Sequence, residues 1–119
     1  MDLEIISNIQ PPGINKLLRM HYRVRKKLQA EIAEDIAANY PLDLIEGPVT
    51  VDYLRKSVRL MDWDNAAGSF KLIGDALVQL GILEDDNPTV IKEFRVEQER
   101  VSRLKRQGYR VYICQTSAM

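Results

Sequence analysis

Residues 47–65 read GPVTVDYLRKSVRLMDWDN, and the side-chain parity of this stretch decides how the chain is built. Gly47-Pro48 opens an extended region in which Val49, Val51 and Tyr53 alternate with polar residues, the period of a half-buried strand. Farther on, Val58, Leu60, Asp62 and Asp64 occupy the other parity, which predicts a bulge or turn near Arg55-Lys56. On that reading Asp62 and Asp64 continue the face of Val58 and Leu60. Two acids at i, i+2 on a strand end point the same way, roughly 7 Å apart.

Working outward, Asp64 or Asn65 is placed to cap a helix through about Leu80, with Phe70, Ile73, Leu77 and Leu80 as its core stripe and Gly81 ending it. Upstream, Leu3 to Ile9 reads as a short strand ended by Pro11-Pro12-Gly13. From Leu18 to Arg25 apolar and basic residues alternate as in a strand, yet Arg19, Arg23 and Lys27 also share a helix face, so both readings stand. Leu28, Ile32 and Ile36 then mark a helix that closes near Asn39, before Pro41. Downstream, Val90, Phe94 and Val96 predict a strand. Tyr109, Val111 and Ile113 predict a last one after the Gln107-Gly108 turn. The expected fold is α/β (α+β): one small domain over residues 1–119, a mixed β-sheet of about four strands packed with two main helices.

The composition excludes several classes. The lone Cys114 allows no internal disulfide and no multi-cysteine zinc site, and fits a reducing compartment. No apolar run approaches the ~20 residues of a membrane span. Asp2 and Glu4 stand where a signal peptide carries basic residues, so a cytoplasmic protein is expected. There is no Gly-rich phosphate loop, Ser-His-Asp set or Cys-His pair, so a nucleotide cofactor and acyl transfer have no support.

The 17 basic and 17 acidic residues balance, but they are unevenly placed. Asp62, Asp64, Asp75, Asp85 and Asp86 gather around one helical segment with only Lys71 among them. Setting those five aside leaves a basic chain whose cations fall into two blocks, one including Arg19, Arg23 and Lys27, the other Arg103, Lys105 and Arg106. Such blocks are either solvated surface or a footprint for a phosphate backbone. His21, alone among arginines, reads as a surface or DNA-facing residue. Crowded carboxylates repel unless protons or a cation neutralise them, so at least one should titrate high. Paired strand-end aspartates with a third from a loop would suit Mg²⁺ or Mn²⁺, and Lys71 could meet charge developing on a phosphate. Plainer readings compete: Asp64 or Asn65 as helix caps, Lys71 and Asp75 as an i, i+4 ion pair, and Asp85-Asp86-Asn87-Pro88 as a turn.

Pro11-Pro12-Gly13-Ile14-Asn15 after a first strand is followed by Asp62-Trp63-Asp64-Asn65, then Lys71 and Asp75-Ala76-Leu77, then Gly81-Ile82 and Asp85-Asp86. This order resembles the RusA-like Holliday junction resolvases over most of the chain. The resemblance implies a homodimeric, Mg²⁺-dependent endodeoxyribonuclease of phage or prophage type that resolves four-way (branched) DNA junctions by paired nicks in recombination and repair. It implies Asp62, Asp64 and Asp86 as metal ligands and catalytic residues, Lys71 as a catalytic lysine, and Asp75 and Asp85 as supporting acids. Arg19, His21, Arg23, Lys27, Arg103, Lys105 and Arg106 would hold DNA. The alternatives are a non-catalytic junction-binding protein of the same fold and a phage interaction protein without nuclease activity.

Overall fold

The computed structural model describes residues 2–116. The four strands β1 (Asp2–Ser7), β2 (Val49–Ser57), β3 (Ile91–Arg100) and β4 (Gly108–Gln115) form one sheet in the order β1-β4-β2-β3. The pairs β1/β4 and β4/β2 are antiparallel, and β2/β3 is parallel. Helices α1 (Ile14–Arg19), α2 (Tyr22–Asn39), α3 (Trp63–Gly68) and α4 (Lys71–Gln79) complete a single small α+β domain. A short 3-10 turn, Leu104–Arg106, precedes β4.

Strand parity builds the core. Along β2 every second residue from Val49 to Ser57 is buried, and the register sets Val51 beside Ile113 and Phe94, and Tyr53 beside Val111 and Val96. Ile5 of β1 extends the same face opposite Val111. Onto it pack Ile32 and Ile36 of α2 and Leu72, Ile73, Ala76 and Leu77 of α4, all essentially free of water. Burying a large apolar side chain contributes about 1.5–3 kcal/mol, so this one face supplies most of the driving force. The opposite face carries Glu4, Asp52, Leu54, Arg110 and Tyr112 and is wetter.

Three expectations need correction, and one reading left open is resolved. The alternating stretch Leu18–Arg25 is helical, split between α1 and α2 at Met20-His21. Leu18, Tyr22 and Val24 are exposed, so their alternation marked no buried face. No bulge interrupts β2 at Arg55-Lys56; the register shift lies at Val49/Thr50, and the strand simply stops at Ser57. Asp62 and Asp64 therefore lie on no strand: Asp62 is the N-cap position of α3, without a side-chain cap bond, and Asp64 sits in its first turn.

The single helix expected to run to Leu80 is two helices. At the joint, the Ser69 hydroxyl donates to the Ala66 carbonyl at 2.5 Å and bonds Tyr53 Oη at 2.6 Å. A serine that takes the carbonyl one turn back competes with the helix ladder and bends it. The stop after α4 is as expected. Gly81 adopts φ 75°, its N–H donates to Val78 O at 3.0 Å, and Ile82 N–H donates to Leu77 O at 3.0 Å. Only glycine takes that left-handed turn without strain.

Candidate active site

The joint between α3 and α4 places Lys71 at the start of α4, where it meets acids from two places in the chain. Lys71 Nζ stands 3.2 Å from Asp75 Oδ1, one turn on, and 3.8 Å from Asp86 Oδ2, fifteen residues on. The hydrogen bond to Asp75, more than any other influence, raises the Lys71 pKa and keeps it charged. Asp86 is brought there by turn chemistry. Its N–H donates to Asp85 Oδ1 at 2.7 Å, and Asn87 Oδ1 accepts from Thr89 N–H at 2.9 Å, which fixes the 85–89 turn over Gly74 of α4. Burial raises the Asp86 pKa; Lys71 opposes the shift, and Asp75 and Asp85 add to it. One carboxyl of the acidic group does titrate high, mainly through desolvation and only secondarily through repulsion.

Beside this cluster lies a cavity of about 390 Å³ lined by Lys71 and Asp86 and by apolar groups including Ile14, Phe70, Ile91 and Phe94. Phe94 packs on Phe70 at 5.1 Å between ring centroids, so the apolar wall is rigid. A charged pair at the rim of an apolar cleft is the arrangement in which fixed charges act most strongly on a bound group.

Asp62 and Asp64 are both exposed at the N-terminal end of α3, and among the described residues neither side chain makes an ion pair or hydrogen bond. Gln98 of β3 clamps the backbone of Met61 just before them, accepting from its N–H at 3.0 Å and donating to its carbonyl at 2.8 Å. Among the described residues, no three His, Cys, Asp or Glu side chains form a group able to hold a metal ion. The contacts that are present join Lys71 to Asp75 and Asp86, and Asp86 to Asp85.

Asn65 has an unforeseen task. Its Oδ1 accepts the N–H of Asn15 at 3.0 Å, so the asparagine of one motif secures the first turn of α1 in another. Gly13 and Gly68 make the same junction: a β-carbon on Gly13 would overlap Asn65, and one on Gly68 would overlap Ile14. The spaced motifs are thus partly a packing code for the α1–α3 contact.

The basic residues gather at the far end of β2. Arg19, Lys16 and Arg55 line a second, polar cavity of about 450 Å³ together with Gln10 and Asn65. Gln10 Nε2 donates to Lys56 O at 2.7 Å, and Gln107, which follows Arg103, Lys105 and Arg106, accepts the Val58 N–H at 3.2 Å. Lys16 and Arg19 therefore share a cavity with Met61, and the segment before Gln107 reaches the same end of β2. His21 is the N-cap of α2, its Nδ1 accepting from Arg23 N–H at 3.1 Å, which gives it a structural task. Arg23 and Lys27 are exposed along α2. Sequence reading missed Arg55, Gln98 and Asn65. An arginine in a strand reads as surface, and an amide that bonds backbone fifty residues away leaves no local signal.

No protein-family model matches this chain, and no curated protein is significantly similar to it. Among the described residues, no helix is long and apolar enough to cross a membrane.

Proposed function

We propose that this chain is a structure-selective endodeoxyribonuclease, dependent on Mg²⁺ or Mn²⁺, that nicks four-way DNA junctions as a homodimer in the cytoplasm. One observation carries the reading: Lys71 and Asp86, fifteen residues apart, meet with Asp75 on the wall of a cleft, in the order that the resolvase pattern requires. Lys71, kept protonated by Asp75, is suited to meet negative charge developing on a phosphodiester. Asp86, with its raised pKa, is suited to take a proton from an attacking water at Oδ2. A divalent ion would supply Lewis-acid activation. Asp62, Asp64 and Asp86 would hold it, as the resemblance implies. A two-fold dimer would set two such sites in fixed relation for paired nicks.

A second reading is a junction-binding protein of the same fold without cleavage. Incubating end-labelled four-way junction with the protein and Mg²⁺ or Mn²⁺ decides between them. Paired symmetric nicks are the expected result. A shifted but intact junction supports the second reading, and an unshifted, intact junction removes both.

A further inference from the structure

The polar cavity at the end of β2 is lined by three cations, Lys16, Arg19 and Arg55, and by no acid. Among the described residues none of the three has an ion-pair partner; the ion pairs involve only Lys71 and Arg95. Lys16 and Arg19 are exposed and could be ordinary solvated charges. Arg55 is different. It is 4% exposed, at a strand position whose neighbours Tyr53 and Val51 belong to the core. Its Nε and Nη2 both donate to the Pro11 carbonyl, at 3.2 and 3.1 Å, which occupies one edge of the guanidinium. Nη1, on the other edge, is buried and has no hydrogen-bond partner.

A buried, permanently charged group facing only one neutral carbonyl is costly, because desolvation is not offset by an opposite charge. The two ion-paired cations among the described residues show the alternative: Lys71 has Asp75 and Asp86, and Arg95 has Asp52 and Glu93. Among the described residues no anion balances Arg55. Two amides also line the cavity: Asn65, whose Oδ1 is committed to the Asn15 N–H and whose Nδ2 remains a donor, and Gln10, whose Nε2 donates to Lys56 O. A cavity of cations and neutral amides, without carboxylates, selects for an oxyanion and against a metal ion.

We propose that this cavity is a phosphate site that receives one phosphodiester group of a DNA strand, an inference that rests on the DNA-directed reading above. Its forked arginine supplies directional hydrogen bonds, and Lys16 and Arg19 supply charge at the mouth. The site stands at the end of the sheet reached by the 103–106 segment, so a strand bound there would track both basic blocks and leave the Lys71 cleft open to a neighbouring phosphate.

The test needs neither metal nor cleavage. Inorganic phosphate is titrated into ¹⁵N-labelled protein in metal-free buffer, and junction binding is measured over a range of salt for the parent and for the double variant Lys16→Gln/Arg19→Gln. These two residues are exposed, so the variant keeps its fold, which the same spectra verify. The expected result is a saturable shift of the Arg55 side-chain Nε–H, the Asn65 amide and the backbone of residues 13–16. The double variant should lose it, and its log–log salt slope for junction binding should flatten by about two units. Shifts spread evenly over all basic segments, or an unaltered titration in the variant, overturn the site. Saturable phosphate binding with an unchanged salt slope overturns its assignment to DNA and leaves a small-anion site. If the site behaves as expected but junctions are never nicked, it is the nuclease reading that fails.

Discussion

Helix α3 separates two cavities that settle charge in opposite ways. On the side of Gly68 and Ala67, Lys71 lines an otherwise apolar cleft with Asp86 and is also paired with Asp75. On the side of Asn65, Arg55, Lys16 and Arg19 share a polar cavity with no carboxylate. A compensated cation can be offered to a developing charge without first attracting whatever anion is nearby. An uncompensated cluster does the reverse and holds an anion in the ground state. The first arrangement suits chemistry and the second suits retention, and a nuclease needs both at different phosphates.

The sharpest break in this comparison is Lys71→Met. If the compensated side performs the chemistry, cleavage of a junction should fall by roughly 10²–10³-fold, the scale of losing one transition-state charge donor. Stability should stay within about 0.5 kcal/mol, because the lysine side chain is 57% exposed and such ion pairs contribute little. Junction binding should persist. Single-turnover cleavage with a urea melt reads both. Asp64→Asn belongs beside it: the residue is exposed and is not the cap, so folding should be unchanged within about 0.5 kcal/mol. Cleavage at the parent rate would then remove Asp64 from the proposed metal site.

Next in size is Gly68→Ala, which strikes the wall both cavities share. The added β-carbon overlaps Ile14, so α1 must shift, at a cost of about 1–3 kcal/mol typical of overpacking. A lower urea midpoint with an unchanged m-value is expected, with binding and cleavage falling together. Asn65→Ala should cost about 1 kcal/mol, the loss of one capping bond to α1, and should weaken phosphate binding more than it slows cleavage. Equal losses in the two assays would show that α3 moves as a rigid wall and that the cavities are not independent.

The smallest effect is a pH dependence at Asp86. Its folded pKa lies above the ordinary carboxylate value, so the folded state holds the proton more tightly than the unfolded chain does. The stability it contributes is present below the unfolded pKa and is lost as pH rises through the raised folded value. Asp86→Asn removes that loss. The variant should match or slightly exceed the parent at pH 7, by well under about 1 kcal/mol, with the gap closing near pH 4. Urea midpoints at the two pH values read the sign. A parent clearly more stable at pH 7 would mean that attraction to Lys71 outweighs burial.

These residues also show why the sequence was legible in parts. Strands β2 and β4 and the helix ending at Asn39 were readable, because apolar periodicity there coincides with a buried face. Gly81 was readable because one backbone conformation demands it. The stretch 47–65 misled, because β2 continues its buried face through Arg55 and Ser57, which are polar, while Val58 and Leu60 lie beyond the strand. Parity followed hydrophobicity when burial did not. The kink at Ser69 depended on a hydroxyl partner, Tyr53, sixteen residues back. At the candidate site, the Lys71–Asp75 spacing was visible locally, while the approach of Asp86 entered only through the resemblance. The cationic cavity was invisible, since its residues come from the loop before α1, from α1, from β2 and from α3.

The sheet order carries one more consequence, for the sequence of events in folding. The last of the described strands in chain order, β4, is not at an edge; it lies between β1 and β2 and is the only partner β1 has among the described residues. Asp2 finds its neighbour at Cys114, nearly the whole described chain away. Until residues 108–115 emerge, the nascent chain can pair β2 with β3 and dock α4, but β1 must wait with its backbone donors and acceptors unmet. Such long-range closure is entropically demanding and slow. Assembly of this domain is therefore gated by its final strand, and a chain stalled just short of it holds half a sheet.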